Sequence, residues 1–204
     1  DTKNKSMAEK KSAISYESIM KSLKAREFAP VYILMGDEPF YIDKICDYIS
    51  ETVLQPEERD FNQVVLFGAD ITASQLVDQC KGFPMMAEHR VVIVKEAQNL
   101  KNLEPLEKYF EKPMASTILV FCHKNGSIDR RKKFLPRAEK VGVVFESKKL
   151  YDRQLPGFIE TYLKTRKATI EPKAVQMIAD HIGADLHRLT SVSYTHLTLP
   201  TNRE

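Results

Sequence analysis

Five short runs of apolar residues punctuate the chain, at 31–35, 64–67, 91–94, 117–122 and 143–145. They lack polar alternation, as strands buried on both faces do. Between them the period becomes helical. Ile42, Ile45, Ile49 and Val53 draw an apolar stripe along 38–54. Leu76, Val77 and Cys80 do the same after Thr72, whose spacing to Gln75 is that of a capping box. Leu103, Leu106 and Phe110 mark another helix, and 130–140 a further one that Pro136 is expected to kink or end early. Gln55, Pro56, Glu57 and Glu58 read as the break after the first helix. Strands alternating with helices predict an α/β fold: a parallel sheet covered on both faces, with right-handed crossovers.

After Ser147 only helices follow. Asp152 is the expected N-cap of the first, with Leu155, Phe158, Ile159 and Tyr162 as its stripe. Pro172 opens the next, and Asp185 begins a third that is not completed. Beyond Thr190, Ser and Thr alternate with apolar residues up to Pro200, and helical periodicity is lost. The expected organisation is therefore a disordered lysine-rich leader at 1–14, with Met7 as the expected true start, and an α/β domain at 15–147. A partial helical domain follows at 148–190, and 191–204 reads as foreign or read-through sequence.

Composition changes this picture little. Hydrophobic residues make up 43% of 204 positions and charged ones 29%, enough for a core in a soluble domain. No run is long enough to cross a bilayer, and no signal-peptide core is present. Cys46, Cys80 and Cys122 have no metal-ligand spacing and read as buried thiols in a reducing cytoplasm. A net charge of +3 permits nucleic-acid contact without implying it. His123, His181 and His187 are scattered, and Ser127 near Asp129 has no evident base, so hydrolase chemistry is not indicated. No cofactor or metal is expected.

The first strand runs into Gly36, the position of a phosphate-binding loop in a P-loop fold. That loop needs GxxxxGK[ST], whose amides cradle phosphate. Here the segment is Gly36-Asp37-Glu38-Pro39-Phe40-Tyr41-Ile42-Asp43-Lys44: no second glycine, a proline without an amide proton, and two carboxylates facing the would-be anion. The third strand ends Val94-Lys95-Glu96, with a lysine where a metal-organising carboxylate would stand.

The stretch from Val31 to Phe40, Phe61-Asn62, the segment from Phe83 to Val94, Leu155-Pro156-Gly157-Phe158-Ile159, and Gly183-Ala184-Asp185-Leu186-His187-Arg188-Leu189 together resemble the delta subunit of the bacterial DNA polymerase III clamp loader. The likeness runs from about Tyr16 to Thr190. It implies an AAA+-like domain without a functional nucleotide site, then a helical lid and a collar; the lid is expected to be partial here and the collar missing. It also implies a cytoplasmic replication protein that hydrolyses no ATP. Its partners would be the sliding clamp, other loader subunits and primed DNA, and its role to help open the clamp ring. A P-loop NTPase and a DNA-binding module are the rival readings.

In that family, adjacent apolar residues just before the third strand enter a pocket on the clamp. The corresponding residues are Met85 and Met86, with Phe83 beside them. Lys81, Glu88, His89 and Arg90 keep the surroundings polar, and methionine adapts to irregular pockets. Methionines more often fill core gaps, and the residues alone leave that open; the resemblance favours the exposed anchor. Arg130, Arg131, Lys132 and Lys133, preceded by Lys124, form the concentrated basic patch. It is a candidate for contact with a DNA backbone, against the plainer reading of a solvated helix face.

Overall fold

The computed structural model describes residues 14–167, 171–182 and 185–197. The α/β part contains α1 (Tyr16–Lys24), β1 (Val31–Gly36), α2 (Pro39–Thr52), α3 (Pro56–Asn62), β2 (Gln63–Phe67), α4 (Ala73–Cys80), β3 (Arg90–Lys95), α5 (Glu104–Tyr109), β4 (Thr117–Lys124), α6 (Phe134–Val141) and β5 (Val143–Ser147). Only helices follow: α7 (Leu155–Thr165), α8 (Pro172–Ile182) and α9 (Leu186–Leu197).

The strands form one parallel sheet in the order β2-β3-β4-β1-β5. This is the α/β class that the alternating pattern predicts. All six residues of β1 are buried, because it lies between β4 and β5 and is covered on both faces. The two-residue period of the strand divides its side chains between two layers. Val31, Ile33 and Met35 pack with α4, α5 and α6; Tyr32 and Leu34 pack with α1 and α2. A third cluster gathers Leu155, Ile159, Val175, Ala179, Leu186 and Leu189 around Phe40, so the last three helices seat on the start of α2. Across that seat Asp43 on α2 faces His187 Nε2 of α9 at 3.2 Å, and it also accepts from Lys124 Nζ of β4 at 2.6 Å.

Local chemistry explains where the helices begin. Thr72 Oγ1 accepts from the Gln75 amide at 3.3 Å, and Gln75 Oε1 accepts from the Thr72 amide at 2.8 Å, the expected capping box. The segment at 55–58 is not only a break. Pro56 opens α3, and Glu58 reaches back to the Gln55 amide at 2.9 Å. A proline in the first turn lacks only an amide that would have had no helical partner. The same physics moves α6, which starts at Phe134 and holds Pro136 in its first turn, neither kinked nor ended by it. Residues 130–133 thus precede the helix. Asp152 starts a short 3-10 turn, and Gln154 is the residue before α7. Helix α1 was not foreseen. In α9 the backbone stays helical through Leu197, past the point where side-chain periodicity lapses. The expected leader, except Ile14, and the end of the tail lie outside the described residues.

Candidate functional site

Residues 81–89 join α4 to β3 at the amino-terminal end of the sheet. Phe83 is 75% exposed, Met85 62% and Met86 fully exposed, so these methionines do not fill core gaps. Three large apolar side chains on one loop form an unusual surface. Burying each would contribute roughly 1.5–3 kcal/mol.

The loop's backbone is held although its side chains are free. Asn62, at the end of α3 and wholly buried, accepts from the Met85 amide at 2.6 Å and donates to the Met85 carbonyl at 2.9 Å. Its amide thus satisfies both backbone groups of one residue, and also donates to Glu58 O at 3.0 Å. Next along the loop, Met86 adopts φ 53°, a conformation uncommon for a residue with a side chain. Ala87 packs into the layer under α1 and α2, and His89 meets the Phe28 ring edge-on at 5.5 Å. Arg90 ties the base of the loop to α4, donating to Gln79 O at 3.1 Å and Gln79 Oε1 at 3.0 Å. An apolar tip on a fixed backbone loses little conformational freedom on binding. Phe61, beside Asn62 in the chain, is 64% exposed.

The turn after β1, at the opposite end of the sheet, is closed. Gly36 has φ +134°, and a Cβ there would stand 2.0 Å from the Ser147 carbonyl oxygen. Glycine therefore lets the end of β5 lie directly against it. The Glu38 amide donates to that same carbonyl at 3.3 Å. Glu38 is buried, and its Oε1 accepts from the Phe40 amide at 3.0 Å. A carboxylate of the chain itself thus occupies the helix N-terminus where a P-loop fold receives phosphate. Burial raises its pKa, while the Phe40 amide and His187 oppose the rise. Asp37 and Glu146 line the adjoining cavity of about 300 Å³, with Lys148 and Lys149 also on its wall.

The two arginines of the basic run are paired with carboxylates. Arg130 pairs with Glu146 at 3.0 Å and Glu139 at 3.4 Å, and Arg131 with Asp129 at 3.0 Å. Lys124 is held by Asp43. Among the described residues, Lys132 and Lys133 form no ion pair, and both are exposed. The three cysteines are buried and free, and no cluster of three or more His, Cys, Asp or Glu side chains could hold a metal among the described residues. Nor is any helix among them long and apolar enough to cross a membrane.

The sequence pattern of the family described as "DNA polymerase III, delta subunit" matches residues 32–148, more than half of the chain. The chain belongs to this family. It is 30% identical over 168 residues to the DNA polymerase III subunit delta of Bacillus subtilis (strain 168), across 78% of this chain and 48% of that protein. The chain thus spans about half the length of the curated relative. The solved Bacillus subtilis DNA clamp loader delta protein (YqeN) superposes with a TM-score of 0.72 at 26% identity, over 93% of this chain and 59% of that one. Both the exposed loop and the closed turn fall within the matched segment.

Proposed function

We propose that this chain grips a sliding clamp through Phe83, Met85 and Met86 and favours an open ring, allowing the clamp to be set around primed DNA. The observation that carries this reading is a fully exposed Met86 on a loop whose backbone Asn62 ties on both sides at Met85. An adaptable apolar tip presented without backbone freedom suits insertion into a pocket on a partner. The α/β unit at 15–147 makes the contact, and 148–190 contributes part of a lid. Family membership and the likeness to a clamp loader delta protein support a sliding clamp as the partner.

The role is mechanical. Opening follows only if the loop binds the open clamp more tightly than the closed one. ATP is bound and hydrolysed by other subunits of a cytoplasmic loader. The carboxylate at the start of α2, the absent amide proton of Pro39 and the close approach at Gly36 all disfavour nucleotide here. Direct DNA contact falls to Lys132 and Lys133, because Arg130 and Arg131 are engaged with carboxylates.

Calorimetry of this chain with the sliding clamp of its own organism tests the reading. The double variant Met85→Ala/Met86→Ala should cost on the order of 2 kcal/mol or more of binding. Equal binding by a folded double variant would move the site elsewhere. A parallel ATP titration should give no heat of binding; saturable heat would revive the nucleotide reading.

A further inference from the structure

Helices α1 and α7 stand as two walls with α2 between them. They enclose a groove of about 670 Å³. Met20, Lys21 and Lys24 face it from α1, and Phe158, Thr161, Tyr162 and Arg166 from α7. Tyr41 and Lys44 supply its floor. Each wall has the spacing of one helix face, and the α1 wall runs for about two turns, some 12 Å. Four cations border the groove against a single acid, Glu17. Among the described residues Lys21, Lys24 and Lys44 form no ion pair. Lys44 instead lies over the Phe40 ring at 5.6 Å.

Two kinds of ligand suit cations beside aromatic rings: single-stranded nucleic acid and acidic protein segments. Nucleic acid would stack its bases on free ring faces, and here the faces are engaged. Phe158 and Tyr162 stack on each other at 6.0 Å, and Arg166 covers Tyr162 at 4.9 Å. Tyr41 meets Tyr16 at 4.9 Å and Phe158 edge-on at 6.2 Å. What remains is a largely apolar surface beside the basic rim of α1. That is the complement of an amphipathic helix whose apolar stripe is bordered by carboxylates.

We propose that the groove between α1, α2 and α7 docks an acidic amphipathic helix of a partner protein. Apolar side chains of that helix would lie against Met20 and the part-exposed edges of Tyr41, Phe158 and Tyr162. Its carboxylates would meet Lys21 and Lys24 along the α1 rim, and Lys44 at the edge of the floor. The inference does not depend on the clamp reading, since it uses no residue of the 81–89 loop.

The test is fluorescence anisotropy of the full chain with a fluorescein-labelled peptide of about 16 residues, some 24 Å as a helix. It carries leucine or phenylalanine at helical spacing and glutamate elsewhere. Saturable one-to-one binding is expected, weakened at least about tenfold by Lys21→Glu/Lys24→Glu. Thr161→Tyr, an exposed change that narrows the groove without altering charge, should weaken it too. Absence of saturable binding, or equal binding by both folded variants, would overturn the proposal. So would equal binding of a peptide of the same composition in scrambled order, which would reduce the effect to bare charge. Tighter binding of a thymidine oligonucleotide, lost in the same variants, would make the groove a nucleic-acid site and end the proposal as stated.

Discussion

The two ends of the sheet carry loops of contrary design. At the carboxyl end, the turn from β1 to α2 folds inward: β5 presses on Gly36, and Glu38 consumes an amide at the helix start. At the amino end, the loop from α4 to β3 turns outward, with a fixed backbone and free apolar side chains. The first is held by what it buries; the second is held at Met85 by one buried amide and at its base by Arg90 and Ala87. Substitution should therefore damage stability at one end and binding at the other.

The largest effect is expected at the closed end. Gly36→Ala sets a Cβ against the Ser147 carbonyl at positive φ, and should cost on the order of 3 kcal/mol or more in denaturant unfolding. A near-neutral result would mean that β5 can withdraw, so the end is not closed. Next comes Asn62→Ala, which leaves the Met85 amide and carbonyl unpaired and should cost about 1–3 kcal/mol. It should also speed hydrogen exchange at Met85 and weaken clamp binding although no anchor is removed. Unchanged exchange would show that the loop is held by something other than Asn62.

A pH titration separates the ends more gently. The pKa of Glu38 is raised in the folded protein, so its contribution to stability is present at low pH and is lost as pH rises through the raised value. Glu38→Gln cannot ionise and should lose less stability than the parent between the ordinary glutamate range, about 4.3, and neutrality. Parallel stability curves would show that the Glu38 carboxyl carries no pH-dependent stability. The smallest effect is reserved for Met85→Ala/Met86→Ala, which should change folding stability by no more than about 0.5 kcal/mol while reducing clamp binding most. A large loss of stability would mean that these side chains support the fold.

The sheet was legible because β1, β3 and β4 are buried on both faces, and only continuous apolar runs meet that demand. The capping box at Thr72 was legible because its partners are three residues apart. Two prolines at helix starts were misread, whereas Pro172 was placed correctly at the start of α8. Pro56 and Pro136 look like breakers in sequence, and only the chain before them decides which end of a helix they mark. Exposure of Met85 and Met86 could not be read from residue type, since methionine is at home in cores. The role of Asn62 was hidden more deeply, because its partner is a backbone 23 residues away that any sequence would supply. The pairing of the two arginines was partly readable: Asp129 adjoins them, whereas Glu139 and Glu146 arrive through the fold.

Cys80 ends α4, directly before the exposed loop, and receives the Thr117 hydroxyl on its carbonyl at 2.8 Å. Burial pushes its thiol up to about 12, so almost no reactive thiolate exists at neutral pH in the folded chain. The residue is therefore a natural clock. The rate at which an alkylating reagent reaches it times the opening of the core beneath the loop. Comparing that rate with and without the proposed clamp partner would tell whether engagement of the tip is absorbed by the loop or passed into the sheet.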